Sequence, residues 1–172
     1  MRSSKTETLF VAGALAAVLQ LAASGAMAAD LLAQAKQLAA PARAYPELTQ
    51  INDQVAMLIT RMEANTNKFK EYREAHLRAT NKRYSSLTRE INQSRNRLSE
   101  LERKLDKAPA LDINRFPAPP GSDRGSSSTY VREQAMAQEK KKYEQAKASL
   151  KQCLKTLSDH YDQQLREIAK LR

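Results

Sequence analysis

Glycine is almost missing from this chain. It occurs four times in 172 residues, and only Gly121 and Gly125 lie beyond residue 28. A backbone cradle for phosphate needs closely spaced glycines, and neither G-x-x-x-x-G-K-[ST] nor G-x-G-x-x-G is present. The nucleophile elbow G-x-S-x-G is absent as well. Tryptophan does not occur, and Cys153 is the only cysteine. No disulfide can therefore close within one chain, and packing must hold the fold together. In an oxidising compartment such a thiol is either buried or paired between chains, and the apolar stripe described below makes Cys153 a small core residue.

Histidine occurs twice, as His76 and His160. Neither has His, Cys, Asp or Glu three or four positions away, the spacing a helical metal pair needs. His76 reads as a polar interruption of an apolar stripe. His160, between Asp159 and Asp162, reads as part of a solvated face. No catalytic, cofactor-binding or metal-binding residue is assigned, and the chain is not expected to be an enzyme.

Proline is confined to positions 41, 46, 109, 117, 119 and 120. Two long stretches, 47–108 and 126–172, thus contain no helix breaker. Both are rich in Leu, Ala, Glu, Lys, Arg and Gln, the strong helix formers. In the first, the apolar stripe runs Leu48, Ile51, Val55, Leu58, Met62, Asn65, Phe69, Tyr72 and His76. It slips through Thr80 and Tyr84, then resumes at Leu87, Ile91, Ser94, Leu98, Leu101 and Leu105. Alternating steps of three and four mark a coiled-coil seam, and the slip reads as a stutter. The polar members Asn65, Thr80 and Ser94 suit register control. The second stripe runs Met136, Glu139, Tyr143, Ala146, Leu150, Cys153, Leu157, Tyr161, Leu165, Ile168 and Leu171. Ser127, Ser128 and Thr129 are candidate N-caps for it.

These features predict an all-α fold: a long antiparallel helical hairpin or coiled coil, with a short N-terminal helix and a partly disordered loop between the rods. Residues 1–28 form a signal peptide, 29–46 a short helix and Pro-containing turn, and 47–108 the first long helix. Residues 109–128 form the Pro/Gly/Ser-rich loop, and 129–172 the second helix. The second rod is too short to cover the first. Leu48, Ile51, Val55, Leu58, Ile59 and Met62 are left as a candidate partner interface. Leaving them wet would forfeit about 1.5–3 kcal/mol per large side chain. A fold-back of 30–40, through Leu31, Leu32, Ala35 and Leu38, is one cover; a second copy or a partner protein is another.

The N-terminal segment carries Arg2 and Lys5, a largely apolar run over 9–21, and the A-x-A pattern Ala26-Met27-Ala28. It reads as an export signal cleaved before Ala29, giving a periplasmic location; the alternative is an uncleaved inner-membrane anchor. The formal net charge is +10, and removal of the signal leaves about +9. Arg73, Arg78, Lys82, Arg83, Arg89, Lys147, Lys151 and Lys155 are candidate anion-facing residues, toward an anionic envelope polymer or membrane surface. Phe69, Tyr72 and Tyr84 interleave with cations as in nucleic-acid sites, but they fall on the seam, so nucleic acid is not the expected partner.

The reading that results is a non-enzymatic periplasmic coiled-coil interaction or scaffold protein, such as a subunit of an envelope or secretion assembly. Its partner would be itself or another envelope protein, and no cofactor is implied. The alternatives are a basic helical holdase chaperone for exported proteins and a membrane-tethered rod.

Overall fold

The computed structural model describes residues 30–74, 81–113 and 126–171, and they are predominantly helical with no strand among them. The chain is helical over 30–39 (α1) and tightens into a 3-10 turn at Ala40–Ala44. Three long helices follow: α2 at Pro46–Glu74, α3 at Asn81–Asp106 and α4 at Ser126–Lys170. Pro46 opens α2 at a position where its missing N–H costs nothing, and Glu47 places negative charge on the helix N-terminus. Arg103 and Lys104 complement the C-terminus of α3. Beyond it, Ala108 N–H donates to the Leu105 carbonyl at 3.1 Å before Pro109 stops the helix.

The expected all-α character holds, but the single rod over 47–108 does not. Lys68 and Glu90 are ion-paired at 2.7 Å, and the Tyr72 and Tyr84 rings meet edge to face at 6.0 Å. In one straight helix Lys68 and Glu90 would lie about 33 Å apart. The chain instead folds back, so α2 and α3 run in opposite senses with their stripes facing. His76, Arg78 and Thr80, where the stripe slips, lie outside the described residues.

Helix α4 returns along both. Arg95 pairs with Asp162 at 2.8 Å and Asp106 with Lys151 at 3.0 Å, so α3 and α4 also run oppositely. Tyr45 meets Tyr143, Leu58 meets Tyr161 and Thr66 meets Gln164, so α2 and α4 run the same way. The core is therefore shared by three long helices. Helix α1 lies across α2 and α4: Lys36 pairs with Glu63, and the Cys153 thiol donates to the Ala35 carbonyl at 3.2 Å. Leu32, Ala35, Ala39 and Ala42 are buried there. The fold-back of this segment occurs as the sequence suggested.

Two boundaries differ from expectation. Helix α4 begins at Ser126, so Ser127, Ser128 and Thr129 are helical residues rather than caps. The stretch 107–113 also contributes to the core. Leu111 is buried, the Pro109 carbonyl accepts the Tyr143 hydroxyl, and Asp112 N–H donates to Glu47 at 3.1 Å. Residues 114–125, the remainder of the expected loop, lie outside the described residues. At the other end of the connection, residues 130–135 of α4 are all exposed, with Tyr130 at 63%.

Candidate functional site

Leu48, Ile51, Val55, Leu58, Ile59 and Met62 were expected to await a partner. All six are buried within the single chain, none more than 7% exposed. The reason is the fold-back: α3, α4 and α1 together cover what one returning helix could not reach. These residues are the core, and they offer no docking surface.

The cations fall into groups. Arg73 lies over the Phe69 ring at 5.7 Å and Arg83 over the Tyr72 ring at 5.9 Å, so both flank the aromatic contact between α2 and α3. Each such contact is worth about 0.5–1 kcal/mol at an exposed site. The Lys147–Lys151–Lys155 stripe is not a uniform positive strip. Lys147 rests on the Tyr143 ring at 5.8 Å and Lys151 is paired with Asp106. Lys155 and Arg89 are exposed. Arg78 lies outside the described residues, as does the side chain of Lys82. The structure thus brings Arg73 and Arg83 together and distributes the others along different faces.

A buried polar layer went unread in the sequence. His160 is only 6% exposed, not part of a solvated face. Its Nε2 lies 3.2 Å from Gln164 Nε2 and 3.4 Å from Thr66 Oγ1. The Thr66 hydroxyl donates to the Met62 carbonyl at 2.8 Å and accepts from Gln164 Nε2 at 2.7 Å. Which of the two groups donates depends on the imidazole tautomer and on the orientation of the Gln164 amide. Nδ1 and Gln164 Oε1 are buried without a hydrogen-bond partner. Next to His160 in the chain, Tyr161 sends its hydroxyl to the Leu58 carbonyl on α2 at 3.4 Å, two helical turns before Thr66, with Ser94 of α3 beside it. Burial raises the Tyr161 pKa, with the Ser94 bond and the Arg61 charge opposing that rise. Asn65 and Ser94, expected to interrupt the seam, are buried in this same part of the bundle.

Burial lowers the His160 pKa from its ordinary value. The unfolded chain therefore binds more protons than the folded one once pH falls below about 6.5. This contribution to stability is complete above that value and declines as pH drops toward the folded pKa. Its slope is at most about 1.4 kcal/mol per pH unit. Urea unfolding of the parent and of His160→Leu should show the parent losing ground to the variant between about pH 7 and pH 5. A difference independent of pH would refute this.

Cys153 is fully buried, and burial pushes its thiol up to about 12. It is a packing residue and an inert thiol at neutral pH. Among the described residues no group of three His, Cys, Asp or Glu is placed to hold a metal ion. Among them, too, no helix is long and apolar enough to cross a membrane. No protein-family model, curated protein or solved structure matches this chain.

Proposed function

We propose that this chain is a non-enzymatic interaction or scaffold protein of the bacterial envelope, exported by its N-terminal segment. In this reading α3 and α4 are the antiparallel helical hairpin with coiled-coil seams, and α2 is the third rod closing it. The partner is a second copy or another envelope protein, recognised by packing against long helix faces.

One observation carries the reading. The buried side chains of the described residues are used in joining α1, α2, α3 and α4, while long polar and charged faces are turned outward. Such a surface suits helix-to-helix or helix-to-protein contact. The leading segment of α4, with Tyr130 and Val131 exposed, adds apolar contact area beyond the packed body. Amine cross-linking in intact bacteria, followed by fractionation, tests it. Discrete cross-linked species of fixed mass are expected in the periplasmic fraction, built on a chain beginning at Ala29. A chain that stays in the cytosol, or that remains uncross-linked at every reagent dose, overturns the proposal.

A further inference from the structure

Two copies of a chain with net charge +10 repel one another. A self-contact must therefore sit where charge is locally balanced. The outward ridge of α3 does not offer this, because Arg89 and Arg103 are exposed along it and its one acid, Glu100, is already paired with Lys104 within the chain. The outward strip of α2 is different. Gln50, Asp53, Met57, Thr60, Arg61 and Ala64 are all exposed there. At 100° per residue, Asp53 and Arg61 lie about 40° to either side of Met57. Met57 is 57% exposed, the largest apolar group turned outward from α2.

We infer that this strip is a two-fold contact between two copies of the chain, centred on Met57, with Asp53 of each copy paired to Arg61 of the other. The inference rests on the self-association form of the reading above. Its basis is a palindrome of charge. In an antiparallel pair of α2 helices with the two-fold axis at Met57, each residue meets the one equally far on its other side. Asp53 and Arg61 are equidistant from Met57 and opposite in sign. Gln50 and Ala64 are equidistant too. Neither is charged, and the short Ala64 side chain lets the two helices approach closely beside the Gln50 stem. No like-charged pair arises along the strip. Within one chain Asp53 and Arg61 stand about 12 Å apart along the axis, too far to pair. Neither forms an ion pair among the described residues. At the centre the flexible Met57 side chains pack on each other.

Charge exchange in the full mature chain tests this by sedimentation equilibrium. Asp53→Arg and Arg61→Asp each turn two attractive pairs into two repulsive ones, and each should raise the dimer Kd by about tenfold or more. The double variant D53R/R61D restores opposite signs and should return within about threefold of the parent. An equimolar mixture of the two single variants should form a heterodimer, since each supplies the sign the other lacks. Met57→Cys should give a disulfide-linked dimer under mild oxidation. Asp53→Cys should not, because its two copies are separated along the helices. The native thiol at Cys153 is buried and adds no background. All these positions are exposed, and unchanged thermal unfolding of the monomer confirms that the variants fold.

A parent dimer indifferent to both single reversals, and not captured through Met57→Cys, overturns the α2 contact and leaves self-association through another face. A parent chain that stays monomeric up to about 100 μM also overturns it. In that case, cross-linked species in cells would still uphold the broader scaffold reading.

Discussion

Leu58→Ala lowers the unfolding free energy of the isolated chain by about 2–5 kcal/mol, the range for emptying a well-packed aliphatic site. Leu58 is buried on α2, and its carbonyl accepts the Tyr161 hydroxyl from α4. The loss combines the transfer term for the removed atoms with a cavity that three helices cannot readily collapse. A solvent-facing Leu58 awaiting a partner would behave otherwise. Its truncation would weaken association and leave the monomer within about 0.5 kcal/mol of the parent. Chemical denaturation at low protein concentration separates the two outcomes. A small change would mean that α1, α3 and α4 do not cover this part of α2.

Tyr161→Ala is expected to cost at least as much, about 3–5 kcal/mol, and to leave the chain only marginally folded. Tyr161 is fully buried where α2, α3 and α4 meet, and its hydroxyl donates to the Leu58 carbonyl with Ser94 nearby. Tyr161→Phe keeps the ring and removes the hydroxyl, so its cost should fall to about 0.5–1.5 kcal/mol. The ratio between the two variants tests whether the ring or the hydrogen bonds secure the junction. Equal effects would show that the polar contacts carry it.

Much of the helical content was legible because its chemistry is local. Helix formers fill 47–108 and 126–172, and prolines bound them. Pro46 opens α2, and Pro109 follows the end of α3. The reversal between α2 and α3 was not legible, for two reasons. No Gly or Pro marks it in the sequence. A three-four stripe also looks the same whether the two halves lie in line or face each other. The slip through Thr80 and Tyr84 was the only local trace, and a stutter explains it equally well. Length was the better guide. The second rod could not cover Leu48–Met62, and the fold-back resolves that shortfall by matching the 29 residues of α2 to the 26 of α3.

His160 shows a second limit. The sequence shows one three-four stripe along α4, yet α4 packs against α2, α3 and α1 and so buries a wider arc. Leu154, His160 and Gln164 fall inside that arc, beside Cys153, Leu157 and Tyr161. The adjacent pair Cys153-Leu154, each fully buried, is the sequence sign of two interleaved seams. The flanking Asp159 and Asp162 obscured it, because acidic neighbours on a helix need not share its face. The outward cations and the strip around Met57 are harder still to read. Their meaning depends on which helix stands next to which.

Helix α4 carries 45 residues, while the rest of the chain reaches along it only to about Met136, which shares a groove with Leu111 and Ile113. Its leading segment therefore stands past the end of the body, aligned with the direction of α2. Joining two copies in opposite senses across Met57 sends those projections outward at opposite ends, with the two Tyr130 rings roughly 80 Å apart at the usual helical rise. In the proposed dimer, that separation would be fixed by the helices alone, since among the described residues no joint lies between the two tips and the contact at Met57.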